Sequence, residues 1–178
     1  MSLTSTNGDV TIEQTATPVM ANGKLTIQAL AGAISISTNA TVPMFQAELD
    51  IKAKNDVTLK QNGTTDSSLT WGGAGGSIES TDGNITIEQE SSTYVISTLN
   101  AVSLNAGGTV TVKRNTEGTA LASMVNGIPA TGVIQLVDGT KKGAIVDGTV
   151  YTASGCTHPK RINCLLYTSP SPRDTERS

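Results

Sequence analysis

The sequence predicts an all-β chain wound as a parallel β-solenoid of about five coils, each of roughly 25 residues. Three observations predict this fold. A short apolar, polar, apolar triad recurs along the first two thirds of the chain, the triads are evenly spaced, and the composition is rich in threonine and serine but poor in aromatic residues. After residue 118 the triads give way to a less regular segment.

The triads predict strands. Strict alternation places successive side chains on opposite faces of a strand, and β-branched residues favour a pleated, half-buried surface. The apolar members of each triad should therefore face a core, while threonine and serine face water. Asn-Gly, Asp-Gly and Gly-Gly pairs, which accept turn conformations readily, separate the triads. The triads begin at Val10, Leu25, Ile34, Leu49, Val57, Leu69, Ile85, Val102 and Val110.

The spacing of the triads favours a solenoid over an ordinary sandwich. The segment 2–14 recurs as 77–89, a displacement of three coils, and such self-similarity marks units that stack on their neighbours. The longest interval contains the segment 71–76, WGGAGG, which we predict to be a loop inserted between coils. The triads form one row at Val10, Ile34, Val57, Ile85 and Val110, and a second at Leu25, Leu49 and Leu69 that continues at Val95 or Val102.

The composition agrees with a solenoid. Aromatic residues make up 3% of the 178 residues and charged residues 15%, whereas threonine and serine, 27 and 17 in number, make up about a quarter. A narrow interior accommodates Val, Ile and Leu, and outward stacks of like charge would repel one another, whereas hydroxyl groups can hydrogen-bond along a stack. The net charge of -3 argues against nucleic-acid binding, and the sequence holds no apolar run of about 18 residues that predicts a membrane-spanning helix.

Two segments depart from the repeat. Residues 119–163 are predicted to form an irregular β flank or divergent coil, in which 132–140 and 143–151 pair as a hairpin around Asp-Gly-Thr-Lys-Lys-Gly. Residues 164–178 share no pattern with the rest, and the run CLLYTSPSPRD resembles a translated sequencing adapter; a disordered Ser/Pro linker is the alternative. We therefore expect solenoid repeats over 1–118, the flank over 119–163, a non-native tail over 164–178, and native termini outside this sequence.

Three strings in the repeats, GDVTI at 8–12, LDIKAKNDVTL at 49–59 and LNAGGTVTV at 104–112, resemble the repeats of filamentous-haemagglutinin-type adhesins. These are large bacterial exoproteins, exported through a partner outer-membrane transporter, whose right-handed parallel β-helix forms a surface fibre. The resemblance covers about residues 2–115. The coil here is longer and less regular than the repeat of that family, and the family's N-terminal secretion domain is absent from this sequence.

The resemblance implies a right-handed parallel β-helix in a secreted or cell-surface segment with a structural or adhesive role and no catalysis. Its partners would be the remaining coils of a longer chain and a host-surface or carbohydrate ligand. Two alternatives use similar triads. A phage tail spike or injection-machine spike would form an intertwined trimer, and a polysaccharide-degrading β-helix enzyme would need acidic clusters on one face of adjacent coils.

Few side chains qualify as ligand contacts. Trp71 lies among glycines and could stack on a sugar, although partial burial at a coil corner is the favoured alternative. Asp138 and Asp147 occur in Val-Asp-Gly-Thr repeats nine residues apart, which suggests calcium-binding turns. The Gly-Gly-x-Gly-x-Asp pattern of calcium-binding nonapeptides is missing, so we expect ordinary hairpin turns at both aspartates.

Pairs of carboxylates and a Cys-Thr-His string are the remaining candidates for catalysis. Glu13 and Glu88 could flank a glycosidic bond, but we expect them at equivalent positions three coils, or about 14 Å, apart. Glu79 and Asp82 are expected in turns. Cys156 and His158 could bind a metal or form a nucleophile pair, but no further ligand lies near them in the sequence. We therefore predict no catalytic residue, metal site or cofactor.

Overall fold

The computed structural model describes residues 1–15, 23–39, 47–62, 69–71, 75–90, 96–98, 102–116, 125–126, 133–146 and 149–152. All regular structure in this part of the chain is β. The strands are β1 (Ser2–Ser5), β2 (Val10–Gln14), β3 (Lys24–Ala29), β4 (Ile34–Thr38), β5 (Glu48–Ala53), β6 (Val57–Gln61), β7 (Leu69–Trp71), β8 (Gly76–Ser80), β9 (Ile85–Gln89), β10 (Ile96–Thr98), β11 (Val102–Ala106), β12 (Val110–Arg114), β13 (Val125–Asn126), β14 (Val133–Asp138), β15 (Lys141–Val146) and β16 (Thr149–Thr152).

The strands form three sheets that run along the stack. Sheet 1 has the order β1-β3-β5-β8-β11, sheet 2 the order β2-β4-β6-β9-β12-β14-β15-β16, and sheet 3 the order β7-β10-β13. Apart from the pairings of β15, every pairing is parallel and joins strands one coil apart. The sequence separation between paired residues is smaller for Ile34 and Val57 than for Ile96 and Val125, so the length of a coil varies along the chain. These parallel stacked strands confirm the predicted β-solenoid.

The stack has about four turns, slightly fewer than the five predicted. The row that begins at Val10 is confirmed, because its triads are β2, β4, β6, β9 and β12 of sheet 2. The second row is wrong at Leu69 but right in its continuation at Val102; the alternative continuation, Val95, lies outside the described residues. Leu69 begins β7 in sheet 3, and the residue that pairs with Leu49 in the next coil is Gly76, which pairs in turn with Val102. A glycine at an inward position gives no apolar signal, so the triad pattern missed β8.

The predicted loop over 71–76 is also wrong at both ends, since Trp71 ends β7 and Gly76 begins β8; residues 72–74 lie outside the described residues. The self-similarity between 2–14 and 77–89 is confirmed by the strand pairing. Ser2 pairs with Thr26, Thr26 with Asp50, and Asp50 with Ser77, which amounts to three coil-to-coil steps.

The core consists of inward rows, each formed by equivalent residues of successive coils. In sheet 1, Ile27, Ile51 and Ile78 lie directly above one another and are fully buried. The same holds in sheet 2, where Ile36 and Leu59 pair at the centre of the stack. Each such side chain contributes roughly 1.5–3 kcal/mol when it is removed from water. The apolar members of the triads therefore face the core, as predicted.

The corners between sheets 1 and 2 are tight turns that stack on one another. Asp56 Oδ1 accepts a hydrogen bond from the backbone N–H of Asn84 in the next coil at 2.7 Å, and Asn84 Oδ1 accepts one from the N–H of Thr109 at 2.9 Å. The turns approach closely, because a β-carbon at Gly32 would lie 2.5 Å from the carbonyl carbon of Gly8. The turn residues at these corners therefore form both a turn and a coil-to-coil contact.

The predicted C-terminal hairpin is confirmed. Strand β14 pairs in parallel with β12 and antiparallel with β15, and β15 pairs antiparallel with β16. The turn is shorter than the sequence suggested, since Asp138 pairs with Lys141 around Gly139, whose φ of 57° suits glycine. Strand β14 thus belongs both to the stack and to the hairpin. Within the described residues, no helix is long and apolar enough to cross a membrane.

Candidate binding surface

The outward face of sheet 2 carries a row of hydroxyl side chains. Equivalent positions of five successive strands each hold threonine or serine, and every neighbouring pair is in direct register. Adjacent strands lie about 4.8 Å apart, so the hydroxyl groups repeat at about that spacing along the stack. We call this set the hydroxyl row: Thr11, Ser35, Thr58, Thr86 and Thr111.

A second row, two residues further along each strand, carries charges. Its members, the charged row, are Glu13, Ser37, Lys60, Glu88 and Lys113, again in direct register. Glu88 Oε1 lies 3.7 Å from Lys60 Nζ and 3.4 Å from Lys113 Nζ. The charged members of the row therefore alternate in sign. This alternation avoids the like-charge repulsion expected for stacked charges without replacing the charges by hydroxyl groups.

Glu88 is the most enclosed carboxylate of the charged row, with 16% of its side chain exposed. Asn115 Nδ2 donates hydrogen bonds to Glu88 Oε1 at 2.8 Å and to Glu90 Oε1 at 2.7 Å. Burial by itself raises the pKa of Glu88, but the hydrogen bond from Asn115 and the charges of Lys113 and Lys60 outweigh it. The pKa of Glu88 therefore lies below its ordinary value of 4.5.

We expect Glu88→Gln to remove a pH-dependent part of the stability. A carboxylate whose pKa falls on folding stabilises the fold above its unfolded pKa, and this contribution is lost as the pH falls through the lower, folded pKa. The wild type should exceed the variant in free energy of unfolding at neutral pH by up to about 1 kcal/mol, because the group is partly solvated. The difference should shrink as the pH falls below 4.5.

Urea unfolding over a series of pH values from neutral to acidic measures this difference. Thr86→Ala is the matched control, since it changes the same strand without changing a titrating group, and its effect should stay constant with pH. A Glu88→Gln effect that grows towards acid pH would contradict the assignment.

A shallow polar cleft lies beside the turn that follows β8 and β11. Its lining residues include Glu79, Thr81 and Asn105, so it presents a carboxylate, a hydroxyl and an amide. Lys52 Nζ lies 2.8 Å from Glu79 Oε1 and partly neutralises the carboxylate. Ser80, which also lines the cleft, is already engaged, since its Oγ donates to the carbonyl of Asn55 at 2.7 Å. The cleft can hydrogen-bond a polar ligand but does not enclose one.

The carboxylates proposed from the sequence lie apart from one another. Glu13 and Glu88 are separated by three coil-to-coil steps, as expected, which is too far to flank one glycosidic bond. Glu79 lies in β8 and not in the predicted turn. The sequence pattern missed this strand because its first inward position is Gly76. Asp82 lies in the turn as expected and pairs with a lysine of the preceding coil, Lys54.

Asp138 is the last residue of β14 and directly precedes the hairpin turn at Gly139, in agreement with the hairpin turn expected there, and its carboxylate is held in an ion pair. It is fully buried and accepts two hydrogen bonds from the guanidinium of Arg114, from Nε to Oδ1 at 2.7 Å and from Nη2 to Oδ2 at 2.8 Å. Arg114 lies two residues after the inward-facing Val112, so strand alternation places it inside. This inward position of Arg114 was the sequence signal that could have predicted a buried partner for Asp138. In the part of the chain that the structure describes, no group of three or more His, Cys, Asp or Glu residues could hold a metal ion.

Trp71 is the last residue of β7 in sheet 3, and its backbone pairs with Thr98. The position of its side chain is not among those that the structure describes, so its role as a ligand contact stays a prediction. Asp147, Cys156 and His158 also lie outside the described residues, as does the tail over 164–178.

Comparison of the chain with protein-family models, with curated proteins and with solved structures finds no significant match. The assignment of β-solenoid repeats is therefore supported by the strand pairing of the structure and not by any relative. Neither the filamentous-haemagglutinin type nor the adapter origin of the tail gains support from these comparisons.

Proposed function

We propose that this chain is a structural and adhesive segment of a secreted or cell-surface bacterial exoprotein, with a host-surface or carbohydrate ligand. The observation that carries the proposal is the outward face of sheet 2, where the hydroxyl row and the charged row continue without interruption over five strands. The resemblance of the repeats to filamentous-haemagglutinin-type adhesins supports the same assignment. Catalysis is not part of the proposal.

A solenoid suits this role because each coil contacts only its neighbours and adds one more copy of the same surface. A single threonine offers one donor and two acceptors, which bind a ligand weakly. Several in a row engage a repetitive ligand together, and the combined affinity exceeds that of any single contact. In the charged row, Lys60 and Lys113 add donors beside the hydroxyl row, two residues further along the same strands.

Binding to a panel of immobilised polysaccharides and cell-surface preparations tests the proposal. The decisive variant is the triple substitution Thr58→Val, Thr86→Val and Thr111→Val, which removes three hydroxyl groups but keeps β-branched side chains of similar shape. We expect apparent affinity for the bound surface to fall at least about tenfold. The matched control removes three hydroxyl groups from the outward face of sheet 1, as Thr26→Val, Ser77→Ala and Ser103→Ala, and should change affinity little.

Four outcomes would overturn the proposal. Absence of binding to every surface, or equal loss in the two triple variants, would remove the adhesive role of sheet 2. Release of soluble sugar from a bound polysaccharide would indicate a β-helix enzyme. A trimer that persists at low protein concentration, detected by analytical ultracentrifugation, would favour the phage or injection-machine spike.

A further inference from the structure

A row of polar side chains runs through the interior of sheet 2. Each of the strands β2, β4, β6, β9, β12 and β14 places two apolar side chains inward, and its third inward position is polar and buried. These third positions are in direct register from the first coil to the hairpin. We call this set the buried polar row: Gln14, Thr38, Gln61, Gln89, Arg114 and Asp138.

The buried polar row ends in an ion pair. Arg114 and Asp138 pair directly in the register of β12 and β14, with relative exposures of 1% and 0%. Their bidentate contact joins the last parallel strand of the stack to the strand before it. A buried charge is costly without its partner, and a bidentate guanidinium–carboxylate contact is the geometry that offsets this cost.

Strand alternation alone leaves the register between coils undetermined. A slip of one residue exposes the apolar face, but a slip of two residues keeps every side chain on its own face. If β14 slipped by two residues, Arg114 would face Leu136 in one direction, or Asp138 would face Val112 in the other. Either arrangement separates a buried charge from the oppositely charged partner that it has in the native register.

The same argument applies to the neutral members of the row. A two-residue slip of β6 on β4 would place Gln61 opposite Ile36, which removes the amide from its polar neighbours and buries it against a hydrocarbon side chain. Burying an amide without such neighbours is unfavourable. We infer that the buried polar row fixes the register of the coils in sheet 2, and that the Arg114–Asp138 pair fixes the register of β14 and its hairpin.

Disulfide cross-linking reads the register directly, with Cys156→Ser and Cys164→Ser as the background. Thr111→Cys with Gln135→Cys reports the native register, because these outward residues pair directly. Thr111→Cys with Val137→Cys reports a two-residue slip in one direction, and Thr111→Cys with Val133→Cys reports it in the other. Paired strands lie about 4.8 Å apart, which is within the Cα separation that a disulfide spans. With Arg114 and Asp138 in place, only the native reporter should cross-link.

The decisive background is Arg114→Met with Asp138→Leu, because apolar replacement of both members of a buried ion pair is often neutral or stabilising. Here we expect cross-linking of a slipped reporter to rise at least about tenfold. The matched control is Lys52→Met with Glu79→Leu, which replaces an exposed ion pair on sheet 1 and should leave both slipped reporters at background. If only the native reporter cross-linked in the apolar background, the Arg114–Asp138 pair would not be what fixes the register of β14.

A second site keeps the test decisive if the apolar variant does not fold. Gln61→Leu with Gln89→Leu replaces two neutral members of the row by side chains of similar size. Thr58→Cys with Thr86→Cys reports the native register there, and Thr58→Cys with Glu88→Cys reports the slip. A rise of the slipped reporter supports the inference, and native-only cross-linking in this background overturns it for the row.

Discussion

Asp138→Ala is expected to lower the free energy of unfolding by about 3–5 kcal/mol. The substitution leaves the guanidinium of Arg114 buried, with 1% exposure, and without the carboxylate that accepts hydrogen bonds from its Nε and Nη2. Removal of one partner from a buried pair is far more costly than removal of both, because the remaining charge has lost its compensation. Equilibrium urea unfolding at neutral pH, followed by circular dichroism, measures the loss.

Asp82→Ala is the matched control for this substitution. Asp82 also pairs with a lysine of the neighbouring coil, Lys54, but 56% of its side chain is exposed. Exposed pairs contribute between about 0 and 1 kcal/mol, so this variant should unfold close to the wild type. Similar losses in the two aspartate variants would show that burial of the Arg114–Asp138 pair does not decide its energetic weight.

Gly76→Ala is expected to destabilise the fold by about 2–5 kcal/mol, through backbone strain and overpacking together. Gly76 begins β8 with a φ of 133°, a conformation that side chains disfavour. A β-carbon there would also collide with the backbone of Leu49, whose nitrogen would lie 2.6 Å away. Because Leu49 is the strand partner of Gly76, the collision would separate two coils. The midpoint of thermal unfolding measures this effect.

Gly8→Ala serves as the control, since it makes the same chemical change in a corner turn. The nearest atom to a β-carbon at Gly8 is Ser5 Oγ at 3.9 Å, which is ordinary contact. We expect its free energy of unfolding to stay within about 1 kcal/mol of the wild type. If the two glycine variants melted at the same temperature, the close approach at Gly76 would carry no special cost.

The parts of the fold that the sequence predicted are those in which each strand carries its own signal. The row from Val10 to Val110 was predicted correctly because every member has apolar, β-branched or leucine side chains in strict alternation. The second row failed at β8, where the inward position is a glycine. The backbone of Leu49 in the preceding coil leaves no room for a side chain at Gly76. This constraint comes from another coil, so the local pattern of side chains does not show it.

The outward surface was predicted in part. Alternation alone placed the threonines of the triads outside, which gives the hydroxyl row. The sign alternation of the charged row depends on which residue of one coil lies above which residue of the next, and coils of unequal length in sheet 2 obscure this in the sequence. The ion pair of Asp138 was missed for a related reason. The local string around Asp138 has the character of a turn, but its partner Arg114 lies one coil away.

The alternation of charge along sheet 2 determines how this surface acts at a distance. Glu13, Lys60, Glu88 and Lys113 contribute two charges of each sign in one line. Beyond a Debye length, about 8 Å at physiological ionic strength, salt also screens these surface charges. Because the charges within the charged row are balanced in sign, the row itself adds little long-range steering of a charged ligand. In the proposed adhesive role, complementarity of hydrogen-bond spacing would therefore select the partner more than net charge does.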